Sequence, residues 1–343
     1  MELAYNNGNE EIIDLLLIKS GRQPTDKSEK ETVLRQEYIK NSRARIYVIP
    51  PKIKTIVDGT FSFSRIIKID IPETVTSMGN YVFESCYSLK FVTLPNSLTT
   101  LGSKLFYNCS SLEEIEIPSS VKSIGSEIFK GCKSLKIVKI PNSITALSDN
   151  CFERCVSLEE ITIPSSVTSI GNGTFTDCKL LKNIVVPSSV LSIGNRAFAY
   201  CESLESIDIP SSVSSINKSV FVHCESLKSI IIPSSVNSID NEAFFGCGIV
   251  RITIPSSVKS IGRACFSECS LLEEVEILAQ LTVINDSTFK RCEKLKEIKL
   301  PNTIEIIENQ AFMECKSLSH ITIPDSVKII NDSVFDDCSS IKE

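Results

Sequence analysis

Residues 158–171 read Leu158-Glu159-Glu160-Ile161-Thr162-Ile163-Pro164-Ser165-Ser166-Val167-Thr168-Ser169-Ile170-Gly171, and two apolar patterns follow one another within them. Leu158, Ile161 and Ile163 form a short β-branched stretch that ends in period two, the signature of a strand with one buried face. Pro164 has no N–H to give to a ladder, so the strand stops there. Val167 and Ile170 then turn a second extended stretch inward. Gly171 reads as a turn that needs positive φ, and Asn217, Asn285, Asn331 and Asp240 replace it in sister segments.

The segment recurs along the chain. Prolines stand at 50, 72, 95, 118, 141, 164, 187, 210, 233, 255, 301 and 324, at steps of 23 with two steps of 22, and Leu278 fills the one gap. Eleven residues after each of these thirteen positions comes a Phe, from Phe61 to Phe335. Three residues further comes a Cys in twelve of the thirteen units, from Cys86 to Cys338, with Ser64 in the first. Three residue types in step over thirteen units define a solenoid, in which each coil buries its edges against its neighbours. Between the glycine column and Phe lies a column of modest residues (Thr174, Ala197, Val220, Ala243, Ala311), which predicts one crowded turn of helix or 3₁₀. At a strand spacing of about 4.8 Å per coil the stack is roughly 60 Å long.

The composition agrees. Of 343 residues, 42% are hydrophobic and 23% charged, ample for a large core. Lys and Arg number 36 against 42 Asp and Glu, a net charge of −6 that argues against nucleic acid as a partner. The apolar run Ile12–Ile18 is flanked and interrupted by Glu10, Glu11 and Asp14, too short and too acidic for a secretory signal, and no run approaches the ~18 residues of a membrane span. On this reading membrane insertion is not expected, a cytoplasmic location is favoured and the cysteines are thiols.

With Ile-Pro-Ser-Ser-Val-x-Ser-Ile-Gly, then Phe-x-x-Cys and Ser-Leu-x-x-Ile, residues 50–343 resemble the BspA-type leucine-rich repeats. The resemblance implies a right-handed leucine-rich-repeat solenoid of about thirteen 22–23-residue coils with a concave parallel β-sheet. It implies protein binding without catalytic residues, often in cell-surface adhesins and surface antigens of bacteria and parasitic protozoa, and so favours the cell surface. One-residue deletions before Ile66 and Ile249, and the loss of Pro at Leu278, depart from the pattern.

Residues 1–49 fall outside these units and form an N-terminal segment expected to be helical. Residues 3–21 resemble the second half of an ankyrin repeat, with Asn9 as helix N-cap and Gly21 as its end. A second helix is expected from Glu29 to about Lys40, opened by a Ser28/Glu31 capping box and carrying Val33, Leu34 and Tyr38 on one face, as a cap for the solenoid. At the other end the last coil stops at Ile341-Lys342-Glu343. Its unmatched edge is expected to fray, to self-associate end to end with another copy, or to continue into further sequence.

Motifs for chemistry are sparse. The cysteines recur at 22 or 23 residues, not at the two to four of metal sites, and a buried thiol column beside the Phe stack explains them. His223, beside Cys224, and His320, on a strand, lack a partner pattern for nucleophilic catalysis. No phosphate loop or zinc-protease motif occurs, so no cofactor is expected and the chain reads as a non-enzyme. Asn-x-Ser/Thr sequons stand at Asn108, Asn172, Asn217, Asn285 and Asn331 and matter only for a secreted chain. Residues four and two before each Pro point outward from the sheet. These two columns vary, and Arg251 beside Glu274, Glu276 beside Lys299 and Glu116 beside Lys139 read as cross-strand charge pairs. Phe91, Ile137, Val185 and Ile231 are apolar at exposed positions and become the candidate ligand anchors, with Glu114, Glu116, Glu274 and Glu276 tuning charge. The function read from the sequence is adhesin-like binding of a protein or glycoprotein ligand. An intracellular protein–protein interaction scaffold is the alternative, and a Cys-dependent enzyme the remote one.

Overall fold

A computed structural model describes residues 32–36 and 45–341. Each coil has three sides. The first carries the longer strand, such as Glu160–Thr162, whose Ile161 is buried between two exposed neighbours. The second carries a two-residue strand, such as Ser169–Ile170, with Ile170 buried. Between them the chain turns at the proline, and the N–H of Val167 donates to the Pro164 carbonyl at 3.0 Å. Both strand rows are parallel and in register: Glu160 pairs with Asn183 and Ile161 with Ile184 on the first side, Ser169 with Ser192 on the second. The solenoid expected from the repeat is the fold of the chain.

The third side departs from expectation. Among the described residues there is no α-helix, and no helical or 3₁₀ turn precedes Phe175. Instead the N–H groups of Gly173, Phe175 and Asp177 donate to the carbonyls of Asn195, Ala197 and Ala199 in the following coil, each at 2.8 Å. This is a third inter-coil ladder, run through turns rather than strands. It requires left-handed backbone at Gly173 (φ 59°) and Asp177 (φ 63°), and the same two positions are left-handed in the other coils, mostly at residues other than glycine. Each such residue costs on the order of 1 kcal/mol or more, which the new inter-coil bonds offset.

Gly171 itself is not left-handed, contrary to the sequence reading. A Cβ there would lie 2.7 Å from the backbone nitrogen of Asp149, and one at Gly125 would lie 2.3 Å from that of Ser103. Glycine suits the column because successive coils approach backbone to backbone there, so a side chain is accommodated only where it takes up the gap itself. Where Asn stands instead, its amide takes up a bond across the gap: Asn217 Nδ2 donates to the Ile193 carbonyl at 2.6 Å.

Inside, Phe61 to Phe335 form one unbroken stack, with successive ring centroids 5.3–5.8 Å apart and near-parallel planes. All fourteen cysteines are buried thiols. The ladder thiols do more than fill space. Cys178 Sγ donates to the Phe152 carbonyl of the preceding coil at 3.2 Å, and that carbonyl also accepts the N–H of Cys155 at 3.0 Å. A Val of similar size could not make this bond, which accounts for Cys in the column. Serines two residues after the proline act alike, as Ser166 Oγ donates to the Ile144 carbonyl at 2.6 Å.

The strand rows reach back beyond residue 50. Ile46–Val48 pairs with Lys68–Asp70, and Val33–Leu34 pairs with Thr55–Ile56. Val33 and Leu34 therefore lie in a strand and not in the helix expected over 29–40. Leu34 is buried and its carbonyl accepts the Thr60 hydroxyl at 3.1 Å. An open solenoid edge offers backbone partners and apolar burial together, and this tertiary pairing overrides local helix capping. The ankyrin-like helix of residues 3–21 and the Ser28/Glu31 box lie outside the described residues.

Candidate functional site

The outward face of the longer strands is an array of side chains set in place by the parallel register. Its residues are placed by strand alternation: Glu114, Ile115 and Glu116 are exposed, buried and exposed in turn. The eight residues singled out from the sequence all lie on this face and are exposed. The register places Ile137 beside Glu114, Lys139 beside Glu116, Glu274 beside Arg251 and Glu276 beside Thr253. Two groups emerge along the columns. Phe91, Glu114 and Ile137 follow one another in three successive coils, and Val185, Asp208 and Ile231 do the same further on. Asp208 was not singled out by sequence reading, which weighed apolar positions singly and not the order in which they alternate with acids.

Two of the three expected charge pairs form. Lys139 Nζ meets Glu116 at 2.8 Å and Arg251 Nε meets Glu274 at 3.4 Å, both exposed to solvent. Glu276 instead accepts the Thr253 hydroxyl at 3.0 Å. These contacts hold side chains in place on the face and add little to stability.

One coil is unlike the rest. The longer-strand row stops at Ser206–Ile207 and resumes at Arg251–Ile254, so that Ser229–Ile231 alone among the thirteen positions has no strand. The gap adjoins one of the two shortened coils, where Gly248 replaces two residues and a Cβ would lie 1.9 Å from the Glu225 carbonyl. Beside it the face sinks into an open depression of about 410 Å³, lined by Ile231, Arg251, Thr253, Glu274 and Glu276 among others. A second shallow hollow of about 380 Å³ lies at Lys136, Glu159, Glu160, Lys182 and Asn183.

Burial pushes the thiols of Cys132, Cys155, Cys178, Cys201 and Cys292 far above the ordinary value for cysteine. A protonated, enclosed thiol is a poor nucleophile. His223 is held between the rings of Tyr200 and Phe245, 5.2 and 5.4 Å away. Among the described residues no three His, Cys, Asp or Glu side chains are placed to hold a metal ion, and no helix is long and apolar enough to cross a membrane. Of the sequon asparagines, Asn217 and Asn285 spend their amides on inter-coil bonds to Ile193 and Ile261.

Parallel strand rows, stacked inward residues and a varied outward face define a leucine-rich repeat protein, a class whose members generally serve as protein-binding modules and are usually non-catalytic. The family described as BspA type leucine-rich repeat region, in six copies, matches residues 32–129, 99–228 and 214–342. The chain belongs to that BspA-type family. Its fold is similar to a leucine-rich repeat protein from Bacteroides ovatus, with a TM-score of 0.68, 28% identity, and 87% of this chain and 85% of that one covered. It is also similar to a leucine rich cell surface protein from Faecalibacterium prausnitzii, with a TM-score of 0.64, 28% identity and 94% of each chain covered. A leucine-rich repeat protein from Eubacterium ventriosum shares the fold at 22% identity and a TM-score of 0.53, with 81% of this chain and 84% of that one covered. No curated protein matches the chain.

Proposed function

We propose that the chain is a non-catalytic, adhesin-like module that binds a protein or glycoprotein ligand on its longer-strand face. Phe91, Ile137, Val185 and Ile231 act as anchors, and Glu114, Glu116, Glu274 and Glu276 tune charge. The observation that carries this reading is the exposure of large apolar side chains on this face: Val185 is 79% and Ile231 81% exposed, Ile137 54% and Phe91 43%, and Ile46 and Val48 also stand outward in the first strand of the row. A face stapled by three inter-coil ladders has little freedom to lose, so anchors on it bind at low entropic cost. The surface setting draws support from the Faecalibacterium relative, described as a cell surface protein.

A photo-crosslinking side chain at position 185 or 231 should capture the ligand, while the same group at position 211, between the strand rows, should not. Equal capture from position 211 would move the site off this face. Surface labelling of intact cells separates the adhesin from an intracellular scaffold: the adhesin is labelled without lysis.

A further inference from the structure

We propose that the Val185–Asp208–Ile231 column, with the depression beside it, is a seat for an amphipathic helix that carries a basic residue between two apolar ones. This rests on the binding role of the longer-strand face and specifies the partner. Val185 and Ile231 are the most exposed large apolar side chains of the described residues. They stand two coils apart in one column, with Asp208 exposed in the coil between them.

Charge sets the chemistry of the partner. Along the two outward columns from Asn183 to Glu276 the only cation is Arg251, and Glu274 engages it at 3.4 Å. Asp208 faces no cation in its own coil's outward positions or in those of either neighbour. Glu276, on the far wall of the depression, has only the Thr253 hydroxyl. The surface thus offers two apolar contacts and unneutralised carboxylates, which match Leu-like and Arg- or Lys-like side chains.

Spacing sets the shape. Adjacent coils are about 4.8 Å apart, which places the column's three side chains near 0, 4.8 and 9.6 Å along the stack. A helix laid along the stack presents residues i, i+3 and i+7 at about 0, 4.5 and 10.5 Å, within about 1 Å at each point. An extended strand presents same-side residues at about 0, 6.7 and 13.4 Å, close to 4 Å out of step at the third. The depression beside Ile231 gives a recess into which the second apolar side chain can settle.

The test uses the full chain and a fluorescein-labelled 18-residue helical peptide carrying Leu-x-x-Arg-x-x-x-Leu in an Ala/Gln frame. Its controls are a twin with Glu in place of Arg and a twin with a central Pro that breaks the helix. Fluorescence anisotropy should show the Arg peptide binding at least about tenfold more tightly than either control. Asp208→Lys should abolish or reverse the preference for Arg over Glu, and Val185→Ser with Ile231→Ser should weaken both helical peptides. Ser123→Lys, exposed on the shorter-strand side, should change affinity less than twofold, and all variants should keep the wild-type thermal midpoint because the positions are exposed. The inference is overturned if the Pro twin binds as well as the helix, if no peptide binds, or if Asp208→Lys leaves the preference intact. If the crosslinks from position 185 still capture a ligand in any of those cases, the binding face stands and only the helical, basic partner is lost.

Discussion

The Phe–Cys interior and the longer-strand face are made by the same thirteen coils, yet they follow opposite rules. Inside, each side chain meets its own kind one coil away: Phe on Phe, thiol on the carbonyl beneath. A change there is felt by two neighbours and has no room to relax. Outside, Phe91 neighbours Lys68 on one side and Glu114 on the other, and nothing in the stack depends on which residue stands there. The contrast separates what holds the rod together from what it can recognise. Interior changes should move stability and leave specificity alone, and changes on the face should do the reverse.

The largest effect that tests this division is alkaline. Buried thiols such as Cys132, Cys178 and Cys201 keep their protons in the folded chain, whereas in the unfolded chain they ionise near pH 8.5. Above that pH the unfolded state binds fewer protons, so stability falls as pH rises, by about 1.4 kcal/mol per pH unit for each such thiol. With several of them acting together, denaturant midpoints should drop steeply from about pH 8.5 to 10. A flat profile across that range would mean that the thiols already ionise in the fold. Below it, thiol reagents should label the native protein slowly, and several cysteines reacting within minutes would contradict their burial.

Next in size, Phe175→Ala should cost about 3–5 kcal/mol, since it opens a void within a stack whose rings lie 5.5 Å to either side. Cys178→Ala is smaller, about 1–2 kcal/mol, because it removes the Sγ donor to the Phe152 carbonyl and a little volume. Urea titration of the two variants ranks them. A Cys178→Ala cost equal to that of Phe175→Ala would show that the thiol ladder, not the aromatic stack, organises the core. At the low end, removing the exposed Lys139–Glu116 pair by Lys139→Ala should leave the thermal midpoint where it was. A clear shift would mean that the face contributes to the rod after all.

Much of the architecture was legible because apolar periodicity and proline punctuate every coil. Pro164, Phe175 and Cys178 each perform a task that only a few residue types can perform, so repetition makes them visible. The third side was not legible for the opposite reason. Left-handed positions such as Asp177, Arg196 and Tyr200 are fixed by N–H groups that reach the next coil, and the side chains there are free to vary. Gly171 was misread because glycine marks close approach as well as positive φ, and only the neighbouring backbone decides between them. Val33 and Leu34 carried a local helix signal that pairing with Thr55 and Ile56 overrode. On the face, alternation placed all eight candidate residues outward. What it could not supply was the lost strand at Ser229–Ile231, since the equally shortened coil before Ile66 keeps its strand at Lys68–Asp70.

The most direct measurement is to change Phe91 and Ile137 together to Ser and follow ligand affinity and thermal stability in the same preparation. An affinity loss of about 2 kcal/mol or more with an unchanged midpoint is the predicted result, since both side chains stand outside the core. Unchanged affinity, or an affinity loss that only tracks a lowered midpoint, would contradict the assignment of recognition to the longer-strand face.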